Sequence, residues 1–311
     1  MGQRHKKPIL VTGAHRSGTT WVGKMLAADP QVAYISEPLN FWHRPGVMRT
    51  ATPHWYTYIC EDNEAEYISA LRETLDFQYH PWLELKSLRS MKDFLRMGRD
   101  WWTFSRGSLN SKDALIKDPF AVFSSAWFAN ALDCQVVIVV RHPAAVTSSL
   151  LRLNWNFDFS DLLNQPLLMR DWLKPFQREM ETMVNSVVDV IAQSCLLWRM
   201  VYQAAVELKD RFPEFHIIRH EDLSLDPVGE FHLLYESLDL NYSQKVEQTI
   251  INSSSARNPK EVSPSAVHSV SVDSRANLEN WKLRLTTSDI DRVHRLTNDA
   301  AQNFYPDEDW P

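Results

Sequence analysis

The sequence predicts a three-layer α/β fold, a mostly parallel sheet flanked by helices, with a P-loop-like phosphate-binding loop at its first strand-to-helix junction. Three segments carry this expectation. Residues 8–12 (PILVT) form a short apolar run that stops at Gly13, and beyond a polar loop Val22, Met25 and Leu26 recur at helical spacing. Residues 134–140 (CQVVIVV) are an unbroken run of the kind buried on both faces of a parallel sheet, followed by Arg141-His142-Pro143 and the helix-compatible stretch 144–153. Residues 215–219 (FHIIR) supply a further strand. Strands separated by helical stretches imply right-handed crossovers, which place helices on both faces of the sheet.

The remaining elements follow in order. Residues 41–106 are rich in Trp, Tyr and Leu without a clean period, and read as helices and loops set between sheet elements. The chain is expected to be a single domain over 1–311, with a helical, aromatic insertion over about 41–113. Met183, Val187, Val190, Ile191, Leu197, Trp198, Val201, Ala204 and Ala205 predict one long amphipathic helix over 182–212. Residues 252–274 are Ser-rich, contain Pro259 and Pro264 and lack periodicity, so a long loop is expected there. Arg257, Lys260 and Arg275 make it basic, and it reads as a lid over about 252–275. From Ala276 onward Leu278, Trp281, Leu285, Ile290, Val293 and Leu296 restore helical spacing.

Composition narrows the function. Hydrophobic residues make up 44% of the 311 and charged residues 23%, a balance that excludes disorder and fibrous repeats. Lys plus Arg number 33 against 39 Asp plus Glu, a formal net charge of -6, which argues against a broad nucleic-acid surface and requires any basic site to be concentrated. Cys60, Cys134 and Cys195 are too few and too dispersed for a disulfide framework or a clustered zinc site, so a reducing compartment is expected. The apolar run 9–12 is too short for a signal-peptide core or a membrane span, which predicts a cytoplasmic protein. A myristoylation signal at Met1-Gly2 would need Ser or Thr where the chain has Lys6.

Gly13-Ala14-His15-Arg16-Ser17-Gly18-Thr19-Thr20 follows the first strand and opens a helix, the context in which loop amides turn toward a phosphate. Gly13 and Gly18 have Walker A spacing, but Thr19 stands where the Walker lysine would be, and the cation comes earlier, at Arg16. This cradle suits a phosphate better than a magnesium-bound nucleoside triphosphate. A kinase using a displaced Lys24 or Lys117, and a nucleotide-binding scaffold without turnover, are the alternatives.

Arg16-Ser17-Gly18-Thr19-Thr20-Trp21 resembles the 5′-phosphosulfate loop of sulfotransferases that use 3′-phosphoadenosine 5′-phosphosulfate (PAPS), in the arginine form of tyrosylprotein and many bacterial members. The resemblance implies that Ser17, Gly18, Thr19 and Thr20 hold the 5′-phosphate and that Trp21 stacks on adenine. It also implies a grip on the 3′-phosphate by a strand-end arginine and a serine eight residues later, matched by Arg141 and Ser149. Lys117-Asp118-Pro119-Phe120 resembles the stretch whose lysine meets the leaving group. Residues 219–223 (RHEDL) resemble a segment near the adenine, with His220 replacing tyrosine; a structural Glu-Asp turn is the other reading. Ser274-Arg275 and Trp281-Lys282 resemble the basic segment that closes over PAPS, which adds Arg275 to the cofactor-binding residues.

Sulfuryl transfer releases 3′,5′-ADP and needs positioned cations where charge builds on the leaving oxygen, a role for Arg16 and Lys117. The expected catalytic set is Glu37, Arg16 and Lys117, with no metal. Glu37 lies 21 residues after Arg16, the spacing of the tyrosylprotein sulfotransferase glutamate, and is the candidate general base. Asp118 and His43 are the alternatives. The acceptor is read as a small molecule, a carbohydrate or a peptide. Trp42, Trp55, Trp82, Trp101 and Trp102 fall where its pocket would form, yet each ring taken singly is read as core.

Overall fold

The computed structural model describes residues 6–42, 44–261, 270–306 and 310. Its centre is a five-stranded, all-parallel sheet in the order β2-β3-β1-β4-β5. The strands are β1 (Ile9–Gly13), β2 (Val32–Ser36), β3 (Asp113–Lys117), β4 (Gln135–Val140) and β5 (His216–Arg219). Side chains alternate between the two faces, as the two-residue repeat of a strand demands. Leu10, Ile116, Ile138 and Val140 join one buried cluster, while Ile9, Val11, Leu115, Val137 and Val139 join another on the opposite face. The sheet is thus the middle layer of three.

α1 (Thr19–Leu26) follows β1. Between β2 and β3 lie α2 (Glu64–Leu75), α3 (Pro81–Ser87) and α4 (Met91–Leu109), the last started by Ser90, whose hydroxyl accepts the Asp93 amide. α5 (Ser125–Leu132) leads to β4, and α6 (Pro143–Arg152) leaves it with proline in its first turn. The short helices α7 (Ser160–Leu163) and α8 (Pro166–Leu168) precede α9 (Gln177–Val184) and the 22-residue α10 (Val190–Arg211). After β5 come α11 (His220–Leu225), α12 (Pro227–Ser237), α13 (Gln244–Ser254), α14 (Ser274–Leu278), α15 (Asn280–Arg284) and α16 (Thr287–Ala301).

Three expectations are corrected. The helix over 182–212 is two helices: α9 ends at Val184, and Asp189 restarts the chain by accepting the Ala192 amide. Val187, counted on its apolar face, is 94% exposed in the break. The loop over 252–274 is shorter, because Asn252, Ser253 and Ser254 complete the last turn of α13 and Ser274 opens α14; its residues 262–269 lie outside the described set. β2 was absent from the reading of the sequence. It is five residues long, packs beside α4, and its short run Val32–Ser36 carries no period that stands out.

The order of strands positions the site. From β1 the chain runs to β2 and β3 on one side and then crosses to β4 and β5 on the other, so the strand order reverses at β1 and a crevice opens at the carboxyl ends of β1, β3 and β4. The segments that begin at Gly13, Glu37, Lys117 and Arg141 all leave the sheet at that edge.

Candidate active site

Residues 14–18 wrap the end of β1. The Ser17 amide bonds the Ala14 carbonyl at 3.1 Å, and Arg16 and Gly18 take left-handed backbone angles. Gly18 sits at φ 100°, and a Cβ there would lie 2.5 Å from His220 Nδ1, so both the turn and the close approach demand glycine. The Tyr202 hydroxyl braces the loop from behind, accepting the Ala14 amide at 3.3 Å and donating to the Val139 carbonyl at 3.0 Å. α1 then starts at Thr19, with the Trp21 and Val22 amides bonded to the Gly18 carbonyl at 2.9 and 3.1 Å, and its N-terminus favours negative charge beside it.

A cavity of about 130 Å³ opens there, lined by Arg16, Gly18, Thr19, Thr20, Trp21, Arg141 and His220 from one side. Ser253, Val270, Val272, Ser274 and Asn277 form the facing wall. Trp21 is fixed by Ser253, which accepts its indole N–H at 3.1 Å, and its ring meets His220 and Phe231 edge-on. Arg141 donates to the Arg16 carbonyl at 3.0 Å, and Arg16 Nε donates to Ser149 Oγ at 3.0 Å. Arg16, Arg141 and Ser149, separate in sequence, are therefore one cluster. Arg152 and Arg284 complete it, both ion-paired with Glu261. Burial, then the charges of Arg141 and Arg152, push the Arg16 guanidinium down to about 10, and burial lowers Arg141 as well. Cations crowded this way favour an anion between them.

At the next strand ends the Glu37 amide bonds the Lys117 carbonyl at 2.8 Å, and the Lys117 ammonium pairs with the Glu37 carboxylate. Asn40 Nδ2 donates to the other Glu37 oxygen at 2.6 Å. Lys117 is 1% exposed. Its stem runs beside Gly23 of α1, where a Cβ would come within 3.2 Å of it, so a glycine inside the helix makes room for the lysine. Burial works to raise Glu37, but the charge and hydrogen bond of Lys117, with the Asn40 bond, outweigh it and hold the carboxyl below 4.5. Glu37 is ionised at neutral pH.

Asp118 has a bracing role. It is fully buried, and its two oxygens accept the Leu39 amide at 2.6 Å and the Phe120 amide at 2.9 Å. Burial and then the Glu37 charge push it up to about 7. His43 lies outside the described residues. Arg275 is not brought to the cradle: it is exposed, and its guanidinium donates to the Leu225 carbonyl at 2.7 and 3.1 Å. Lys282 pairs with Glu279 and Trp281 stacks on His142, so the C-terminal cation in the cluster is Arg284. Glu221 accepts the His142 amide and the Tyr305 hydroxyl, which makes it structural, while its neighbour His220 lines the cavity.

A second, larger cleft of about 560 Å³ adjoins the first, and Thr20 lines both. Glu37 and Asn40 stand in it, with β2 as its floor and α4 as its far wall. The tryptophans correct the reading of each as core: Trp42, Trp82, Trp101 and Trp102 are 51–74% exposed, and Trp42 and Trp102 line this cleft. Trp55 alone of the five is packed against the core. Sequence reading missed Arg152 and Arg284. Arg152 could have been found, since it follows Ser149 by three residues on one helix face; Arg284 gives no local signal.

The family described as Sulfotransferase family matches residues 8–244. Carbohydrate sulfotransferase 1 of Danio rerio is 24% identical over 327 residues, covering 92% of this chain and 74% of that protein. The sulfotransferase domain from the olefin synthase of Synechococcus PCC 7002 is similar over 98% of this chain and 97% of its own, with a TM-score of 0.48 and 16% identity. Mouse sulfotransferase SULT7A1 complexed with PAP is similar over 96% and 84%, with a TM-score of 0.43 and 13% identity.

Proposed function

This chain belongs to the sulfotransferase family, and on that footing we propose that it transfers the sulfuryl group of PAPS to a hydroxyl of a saccharide acceptor, with Glu37 as general base. The observation that carries this reading is the junction of the two cavities at Thr20, with the Glu37–Lys117 pair beside it. One cavity has the groups for a phosphorylated nucleotide, the other has room for an acceptor. The saccharide is drawn from the name of the Danio rerio relative.

The residues of the smaller cavity fit the donor. Arg141 Nε and His220 Nδ1 are buried there without a partner among the described residues, polar atoms that a ligand would satisfy. The amides and hydroxyls of Ser17 to Thr20 would hold the 5′-phosphate, Arg141 and Ser149 the 3′-phosphate, and Trp21 the adenine face. Bound PAPS supplies a sulfuryl group whose bond to the 5′-phosphate breaks as the acceptor oxygen bonds to sulfur, releasing 3′,5′-ADP.

Glu37 accepts the proton of the acceptor hydroxyl. Lys117 keeps that carboxylate ionised and, carrying three N–H donors, can bond an oxygen at the donor side at the same time. Arg16, which lines the smaller cavity, adds positive charge there. Asp118 holds the segment that carries Glu37, through the Leu39 amide.

Thermal denaturation with 3′,5′-ADP and with ATP plus magnesium tests the donor site. A ligand at about 100 times its dissociation constant stabilises by roughly 2.7 kcal/mol. Stabilisation by 3′,5′-ADP is the expected result, and stabilisation by ATP–magnesium alone would overturn it.

A further inference from the structure

The wall of the larger cleft is basic in a chain that is acidic overall. Among the described residues its charged lining consists of six cations, Lys24, Arg44, Arg96, Arg99, Arg106 and Lys112, against the two carboxylates of Glu37 and Asp100. Both carboxylates are already engaged, Glu37 by Lys117 and Asp100 by Arg44 and Arg99, each at 3.2 Å. The cations are ordered by α4, where Arg96, Arg99 and Arg106 recur at three and seven residues and span about 15 Å of helix. Arg44, 11% exposed, faces them, and the Nε atoms of Arg44 and Arg96 are buried without a partner among the described residues.

Aromatic faces accompany the charge. Arg106 lies over the Trp102 ring at 5.6 Å. The backbone amide of Trp42 donates to Asn40 Oδ1 at 2.8 Å, and the same Asn40 side chain donates to Glu37, so the chain that carries this exposed indole is linked through Asn40 to the candidate base. Flat indole faces bind sugar rings through their apolar side, and the guanidinium fork matches carboxylate and sulfate oxygens.

We propose that the acceptor is an acidic saccharide, its carboxylate or sulfate groups held by Arg44, Arg96, Arg99 and Arg106 and its rings resting on Trp42 and Trp102, so that a hydroxyl meets Glu37. This rests on the transfer reading above and deepens it. Arg44 and Arg99 share the one carboxylate of Asp100, and Arg96 pairs with Asp93 at 2.8 Å, so the cations of that wall outnumber the carboxylates that face them; a neutral acceptor would leave that excess uncompensated, whereas an acidic one offsets it along α4.

The test is titration of the protein, saturated with 3′,5′-ADP, with a uronic-acid hexasaccharide, its carboxyl-reduced neutral counterpart and an acidic peptide of similar charge, read by tryptophan fluorescence. Tight binding of the acidic hexasaccharide is expected, weakened by salt and at least about tenfold weaker for the reduced form, as for loss of one charge-assisted contact. The double variant Arg99→Glu, Arg106→Glu should lose that binding while keeping the thermal shift with 3′,5′-ADP, and Arg99→Lys, Arg106→Lys should recover most of it. Equal binding of the reduced hexasaccharide, indifference to charge reversal, or equal binding of the peptide would overturn the proposal. A failed 3′,5′-ADP shift would instead sink the donor reading, so the two failures are distinguishable.

Discussion

The ammonium of Lys117 and the carboxylate of Glu37 form an ion pair across the ends of the parallel neighbours β3 and β2, one register step beyond the Ser36–Lys117 pairing. The lysine is 1% exposed, so this carboxylate is the charge its ammonium meets at the strand ends. Glu37→Gln keeps the shape and removes the base. It should lower kcat by about 10²- to 10⁴-fold, the range for loss of a positioned base, with 3′,5′-ADP affinity unchanged. Parallel rate and thermal-shift measurements check it.

The pair also sets a pH dependence. The folded carboxyl of Glu37 lies below its ordinary 4.5, so its contribution to stability is present above that value and is lost as the pH falls below it. The acidic limb of kcat/KM belonging to Glu37 should therefore lie below pH 4.5. In Lys117→Met, burial acts without the opposing charge and the limb should move upward. A limb that stays in place in the variant would show that Lys117 does not govern Glu37.

Removal of Asp118 should cost stability first. Asp118→Ala leaves the buried amides of Leu39 and Phe120 without an acceptor, a loss of about 1–3 kcal/mol for each group left unsatisfied. Asp118→Asn can still accept one of them and should fall between Ala and wild type in urea denaturation. A base would show the reverse pattern, stability retained and kcat abolished in the Asn variant.

The guanidinium cluster predicts graded losses in nucleotide binding. Arg141→Ala and Arg16→Ala should each weaken 3′,5′-ADP by roughly 1.5–3 kcal/mol, the worth of hydrogen bonds to a charged group, and Ser149→Ala by less. Calorimetric titration gives the values. Arg275→Ala, whose guanidinium is spent on the Leu225 carbonyl, should bind 3′,5′-ADP as the wild type does.

The strands β1, β4 and β5 and the loop from Gly13 to Thr20 were legible in the residues, because an unbroken apolar run and a glycine spacing are local signals. Arg16, Lys117, Arg141 and Ser149 were legible as types at the right distances from those strands. Their assembly was not. That Arg16 Nε meets Ser149 across 133 residues, that Arg284 rather than Arg275 joins the cluster, and that Lys117 pairs with Glu37 follow from the order of strands around β1. The basic wall of the acceptor cleft was equally invisible, since its cations are scattered through an acidic chain and only the packing of α4 beside β2 aligns them with Glu37. Local chemistry is written along the chain; which charges face one another is decided by long-range packing, whose contacts no local period records.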